Sequence, residues 1–254
     1  MPQISVYGQP AFYRTSGEGP KAVMFLHGAG GNSLHWLGTE PPTGWRVIAV
    51  DLPGHGNSGG DPRNGIFQYA DWVAEFIRTL GERPVLAGHS MGGAVAMTVA
   101  LSVPELLKGL ILVGTGAKLG VSPMILNLCQ GNSTLEIEDL MAKMAYGSLP
   151  TWEQIKDWYQ LFGQATCQAY FADFTACDRF DIRERVSEIS LPTLVVCGSE
   201  DRLTPKKYSQ YLASQIPKAR LVEIPEAGHM VMLEQAKLFN LAVKEFCENL
   251  KEEI

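Results

Sequence analysis

Runs of positive charge are missing from this chain. Lysine and arginine total 21 against 27 acidic residues, a formal net charge of −6, and the basic residues are scattered. A surface of that sign repels phosphate backbones, so nucleic acid is not an expected partner. Cysteine is scarce and unpatterned. Cys129, Cys167, Cys177, Cys197 and Cys247 are odd in number, widely spaced and form no Cys-x-x-Cys pair. That spacing supports neither a disulfide framework nor a zinc site, and the five read as small buried hydrophobes. Also missing are an apolar run of membrane-spanning length and, over residues 1–10, a basic leader with an apolar core. The expectation is a cytoplasmic protein without a membrane span.

What is present is globular: hydrophobic residues make up 46% of the chain and charged residues 19%, and 254 residues bury an ample α/β core. Short, continuously apolar runs at residues 22–26, 45–50, 84–87, 110–114, 191–198 and 219–224 alternate with helical patterns. Tyr69, Val73, Phe76, Ile77 and Leu80 mark one such helix between the second and third runs. Strands apolar on both faces and separated by helices predict a mostly parallel central sheet covered on both sides. An edge strand or hairpin is expected over residues 4–13. Between residues 119 and 188 the strand-like runs stop, and several short helices rich in Met, Trp, Tyr and Phe take their place, Tyr159 and Phe162 among those residues. This predicts an inserted helical cap at 119–188 on a core formed by 1–118 and 189–254.

The third apolar run is broken by Gly88-His89-Ser90-Met91-Gly92, and small apolar residues follow at helical spacing. Strand, sharp turn and helix place a serine at the tip of strained backbone, where side chains at Gly88 and Gly92 would collide. The Ser90 hydroxyl then stands clear of the sheet, and the Met91 N–H faces whatever the serine attacks.

Acyl transfer through serine also needs a histidine to carry the proton, a carboxylate to orient it and a pair of N–H donors for the oxyanion. His229 follows the last strand in a Gly-His loop and is the candidate base. The loop after residues 191–198 carries Glu200 and Asp201, of which the shorter aspartate suits a held, buried geometry. The loop from Gly114 to Lys118 has no acid. Asp51 precedes the serine and reads as a turn-former. His27 reads as a residue shaping its own glycine-rich loop, and His89 as turned away from the nucleophile. Each candidate lies at the carboxyl end of a strand, where open α/β sheets place their sites.

With His27-Gly28, Asp51-Leu52-Pro53-Gly54-His55-Gly56-Asn57-Ser58, Gly88-His89-Ser90-Met91-Gly92-Gly93, Gly198-Ser199-Glu200-Asp201 and Gly228-His229 in that order, the chain resembles the α/β-hydrolase superfamily over essentially its whole length. The resemblance implies Ser90 as nucleophile, Asp201 as acid, His229 as base and the N–H groups of Ala29 and Met91 as oxyanion hole. It points to a serine esterase acting on a small to medium carboxylic ester; the apolar, aromatic helices over 119–188 suggest an apolar acyl or alcohol group, and no metal or organic cofactor is expected, since each part of the chemistry has a protein group to perform it. Relatives with an aspartate nucleophile, the haloalkane dehalogenases and epoxide hydrolases, are excluded by Ser90. Carbon–carbon bond hydrolases, lyases, thioesterases or acyl-carrier methyl-esterases, and low-turnover ligand sensors on the same fold stay open. Ala29-Gly30-Gly31-Asn32 lacks the proline usual in the first loop of the carbon–carbon hydrolases, and Lys143 and Lys156 are few for a surface that docks an acidic carrier protein.

Overall fold

The computed structural model describes residues 3–131, 133–162 and 165–250, without the side chains of residues 159–162. Met1, Pro2 and the aromatic side chains expected at Tyr159 and Phe162 lie outside those described.

Eight strands form one sheet: β1 (Gln3–Val6), β2 (Gln9–Ser16), β3 (Lys21–Leu26), β4 (Trp45–Val50), β5 (Val85–His89), β6 (Gly109–Val113), β7 (Thr193–Gly198) and β8 (Ala219–Ile224), in spatial order β1-β2-β4-β3-β5-β6-β7-β8. The first two form the expected hairpin, and β2 runs antiparallel to β4. Every pairing from β4 to β8 is parallel, with register such as Phe25 opposite Ala87 and Ala87 opposite Ile111.

Because side chains alternate along a strand, each central strand serves two cores. Met24 and Leu26, with Leu86, Leu110 and Leu112, face α1 (Ile66–Leu80) and α2 (Met91–Ser102). Val23 and Phe25, with Val85, Ala87, Ile111 and Val113, meet Trp36 of a short helical turn and the Phe239, Ala242 and Val243 row of the closing helix. The amphipathic α1 ends where Gly81 takes a left-handed φ of 72° and returns its N–H to Ile77 and Arg78 carbonyls. In α2 almost every side chain is buried, because the helix is covered on one side by the sheet and on the other by α1.

Between β6 and β7 lie α3 (Pro123–Cys129), α4 (Leu135–Ala145), α5 (Trp152–Phe162) and α6 (Cys167–Asp178). The stretches that flank these helices run side by side. Ile182 donates its N–H to the Ala117 carbonyl at 2.8 Å, and Lys118 bridges Asp181 in antiparallel fashion. After β7 come α7 (Lys207–Gln215), β8, α8 (Val231–Glu234) and α9 (Ala236–Asn249).

Candidate active site

The β5–α2 junction has the shape expected from its glycines. Ser90 sits at φ 52°, ψ −115°, a conformation that costs a serine on the order of 1–3 kcal/mol and persists only where its surroundings enforce it. Here they do. Its N–H donates to the Val113 carbonyl at 2.9 Å, and its carbonyl accepts from Gly93 N–H at 3.0 Å and from Thr115 Oγ1 at 2.8 Å. A Cβ on Gly88 would run into the Gly92 carbonyl, and one on Gly92 would lie 2.6 Å from the Leu26 and His27 carbonyls. The turn closes only with glycine at both places.

Asp201 and His229 arrive from the ends of β7 and β8. The His229 Nδ1 lies 2.9 Å from Asp201 Oδ2, both side chains being almost wholly buried. Asp201 also accepts from the backbone N–H groups of Leu203 and Thr204 at 2.9 and 2.8 Å and from Thr204 Oγ1 at 2.8 Å. Burial works against its charge, but the adjoining His229 ring and these hydrogen bonds win and hold the carboxyl below its ordinary range. The neighbouring Glu200 points elsewhere, to the N–H and hydroxyl of Ser148.

The first loop is a four-residue turn, Gly28 to Gly31, closed by Gly31 N–H on the Gly28 carbonyl at 3.1 Å, with Gly30 at φ 65° in the position that demands it. His27 braces the turn as expected: Leu52 N–H donates to its Nε2 at 3.1 Å, so its Nδ1–H donates to the Gly28 carbonyl at 2.8 Å. Burial keeps the ring neutral by lowering its pKa well below the usual value. Asp51 is a turn-former too, accepting from the N–H groups of Ser33 at 2.6 Å and Asn57 at 2.8 Å.

Ser90, His229, Gly28, Ala29 and Gly30 open onto one cavity of about 300 Å³. Its far wall is Ile125, Met141, Met144, Tyr146, Trp158, Tyr170 and Phe174 from the segment between β6 and β7, all on helices except Tyr146, which follows α4. The Tyr146 and Trp158 rings stack at 5.4 Å between centroids, and Tyr170 and Phe174 at 6.2 Å. Sequence alone marked these residues as apolar without separating pocket from core, since helical periodicity is the same for both.

Two residues differ from expectation. His89, read as turned away from the nucleophile, lines the cavity, packs its ring 4.5 Å from the His229 ring and donates Nε2–H to the His229 carbonyl at 3.0 Å. The strain belongs to Ser90 alone, and His89 remains in the strand. Asp173 escaped notice altogether. It lies fully buried in α6 and accepts from Gly30 N–H, His55 Nε2 and Tyr69 Oη at 2.8, 2.9 and 2.6 Å. Burial disfavours a charge on His55, yet Asp173 beside it outweighs burial and raises its pKa.

Among the described residues no cluster of His, Cys, Asp or Glu could hold a metal ion, and no helix is long and apolar enough to cross a membrane.

Residues 23–242 match the model of the Alpha/beta hydrolase family. The chain is 32% identical to a pimeloyl-[acyl-carrier protein] methyl ester esterase of Aeromonas hydrophila, over 91% of this chain and 96% of that protein. It is 31% identical to a 2-hydroxy-6-oxononadienedioate/2-hydroxy-6-oxononatrienedioate hydrolase of Burkholderia vietnamiensis, over 92% and 89%. A solved thermophilic esterase superposes with a TM-score of 0.85 at 35% identity, covering 98% of this chain and 97% of its own.

Proposed function

Since the chain belongs to the alpha/beta hydrolase family, we propose that it is a serine esterase that cleaves small to medium carboxylic esters with an apolar group through an acyl-enzyme on Ser90. The observation that carries this reading is the convergence on one cavity of a strained, half-buried serine and a histidine whose far nitrogen is held at 2.9 Å by a buried carboxylate.

His229 takes the Ser90 proton through Nε2 as Oγ attacks the acyl carbon. Asp201 keeps the ring in the tautomer that leaves Nε2 free to accept and stabilises it once charged. The Ala29 and Met91 N–H groups receive the oxyanion, and in sites of this kind one such donor is worth about 2.7–4 kcal/mol. His229 returns the proton to the departing alcohol, then activates water, which releases the acid and restores Ser90. Each part of the chemistry has a protein group to perform it, so the reaction as drawn calls for no cofactor.

Residues 119–188 act as a cap on the 1–118 and 189–254 core. The cavity of about 300 Å³ lies at the low end for small-molecule sites, and its apolar far wall suits a short to medium acyl chain. A carrier-bound acyl group is less well served. On the cap, Lys143 is paired with Asp139 at 2.5 Å and Lys156 lies over the Trp152 ring, while Glu136, Glu138, Glu153 and Asp157 stand nearby in sequence. An acidic carrier would meet acid.

The test is hydrolysis of p-nitrophenyl esters of rising acyl length by wild type and Ser90→Ala. Turnover at short or medium chains that vanishes in a folded Ser90→Ala protein is expected. Turnover that survives the substitution would remove Ser90 as nucleophile, and none from folded wild type would favour a carbon–carbon hydrolase, a lyase or a ligand sensor.

A further inference from the structure

Among the described groups, Asp173 is a buried carboxylate that the reaction above does not use. It lies in the middle of α6, fully buried, and burying a carboxylate there contributes little to stability compared with an apolar side chain of similar size. Its partners suggest another use. Oδ1 accepts from Tyr69 of α1 at 2.6 Å, while Oδ2 accepts both from His55, in the loop after β4, at 2.9 Å and from Gly30 N–H at 2.8 Å. Those partners lie 104, 118 and 143 residues away in sequence.

Gly30 is a central residue of the turn whose other central residue is Ala29. The Gly28 carbonyl is already engaged by Gly31 N–H and by His27 Nδ1, at 3.1 and 2.8 Å. The buried Gly30 N–H therefore depends on Asp173, since a buried N–H without an acceptor is costly. The same helix presses a second residue on the turn: the Tyr170 ring fills the space that a side chain at Gly30 would need. Ala29 and Gly30 both line the cavity, and only Gly30 has its N–H taken by Asp173.

We propose that Asp173 is a positioning residue for the oxyanion. From α6 it fixes the Ala29–Gly30 peptide, while His27 and Gly31 fix the Gly28–Ala29 peptide that carries the Ala29 N–H, so the turn holds this donor in place only while α6 is seated on the core. The inference rests on the esterase reading and deepens it: the helices over the cavity set the chemistry as well as the substrate. His55 is part of the device, since its bond to Oδ2 restricts the orientation of the carboxylate toward Gly30.

The decisive comparison is Asp173→Leu against Asp173→Asn. Each is assayed for kcat and KM on p-nitrophenyl butyrate, for inhibition by an alkyl boronic acid that forms a tetrahedral adduct on serine, and for amide hydrogen exchange at residues 28–31. Asp173→Leu should lose about 100-fold or more in kcat, the scale of losing one oxyanion donor, with KM within about threefold and boronate affinity falling in step. Asp173→Asn keeps an oxygen for Gly30 N–H and should recover kcat to within about tenfold of wild type, with exchange at 28–31 restored. A raised KM with kcat retained, or equal losses in both variants, would overturn the proposal and leave Asp173 a simple tie.

Should Asp173→Leu not fold, wild-type exchange in sub-denaturing urea decides. Gly30 opening together with α6 supports the proposal, and Gly30 opening alone and earlier overturns it. Wild type without Ser90-dependent turnover would sink the esterase reading by itself, and the exchange measurement would still judge the link from Asp173 to the turn.

Discussion

At Asp201, burial opposes the charge and the neighbours restore it, so the proposed catalytic role and stability fall on one side chain. Asp201→Asn preserves shape but offers His229 the wrong partner. In the proposed reaction it should cost on the order of 10⁴-fold in kcat while the circular dichroism spectrum stays unchanged. The same residue gives the fold a pH dependence. Its carboxyl titrates lower in the folded chain than in the unfolded one, so its stabilisation is complete above the unfolded value of about 3.9 and is lost as pH falls through the folded value. The Tm advantage of wild type over Asp201→Asn should therefore hold at neutral pH and shrink in the acid range, and a gap that widened on acidification would refute this account.

Among the helices, α6 does two tasks: it walls the cavity with Tyr170 and Phe174 and carries Asp173 to the first loop. The buried His55–Asp173 pair, with Asp51 and His27 also close to the His55 ring, has the opposite pH sign to Asp201. His55 holds its proton more tightly when folded, so its contribution is full below about pH 6.5 and disappears as pH rises through the folded value. Thermal melts of His55→Gln and wild type should differ most near pH 6 and converge in alkali. On α5, Trp158 stacks on Tyr146 at the cavity wall, and Trp158→Ala should shift the optimal p-nitrophenyl ester to a longer acyl chain; an unchanged optimum would place the acyl group elsewhere. These elements were not equally legible. The strands and their order of use could be read because apolar runs and terminal glycines are local signals. The Ser90, Asp201 and His229 positions followed from strand ends. Asp173 could not be read that way, since a single acid in an aromatic helix looks like any solvent-facing residue until partners more than a hundred positions away come together.

For the molecule as a whole, stability rests on two cores either side of one sheet and on no disulfide. All five cysteines are free, four of them buried and Cys167 half-buried. Burial lifts the thiols of Cys129 and Cys247 to about 11 and about 12, so a thiolate-selective reagent at neutral pH should label about one site in the native protein and all five after denaturation. Reductant should leave Tm unchanged. Residues 117–119 and 180–182 run side by side, joined by backbone hydrogen bonds at Ala117 and Phe180, so the segment between them begins and ends at nearly one point. That is the geometry of a splice site. A lineage could exchange everything between those two stretches for a segment of another length and shape, and the register of β6 on β7 would be untouched, provided that the newcomer brought its own acceptors for the Gly30 N–H and for the His229 N–H, which the Ala145 carbonyl takes at 2.7 Å.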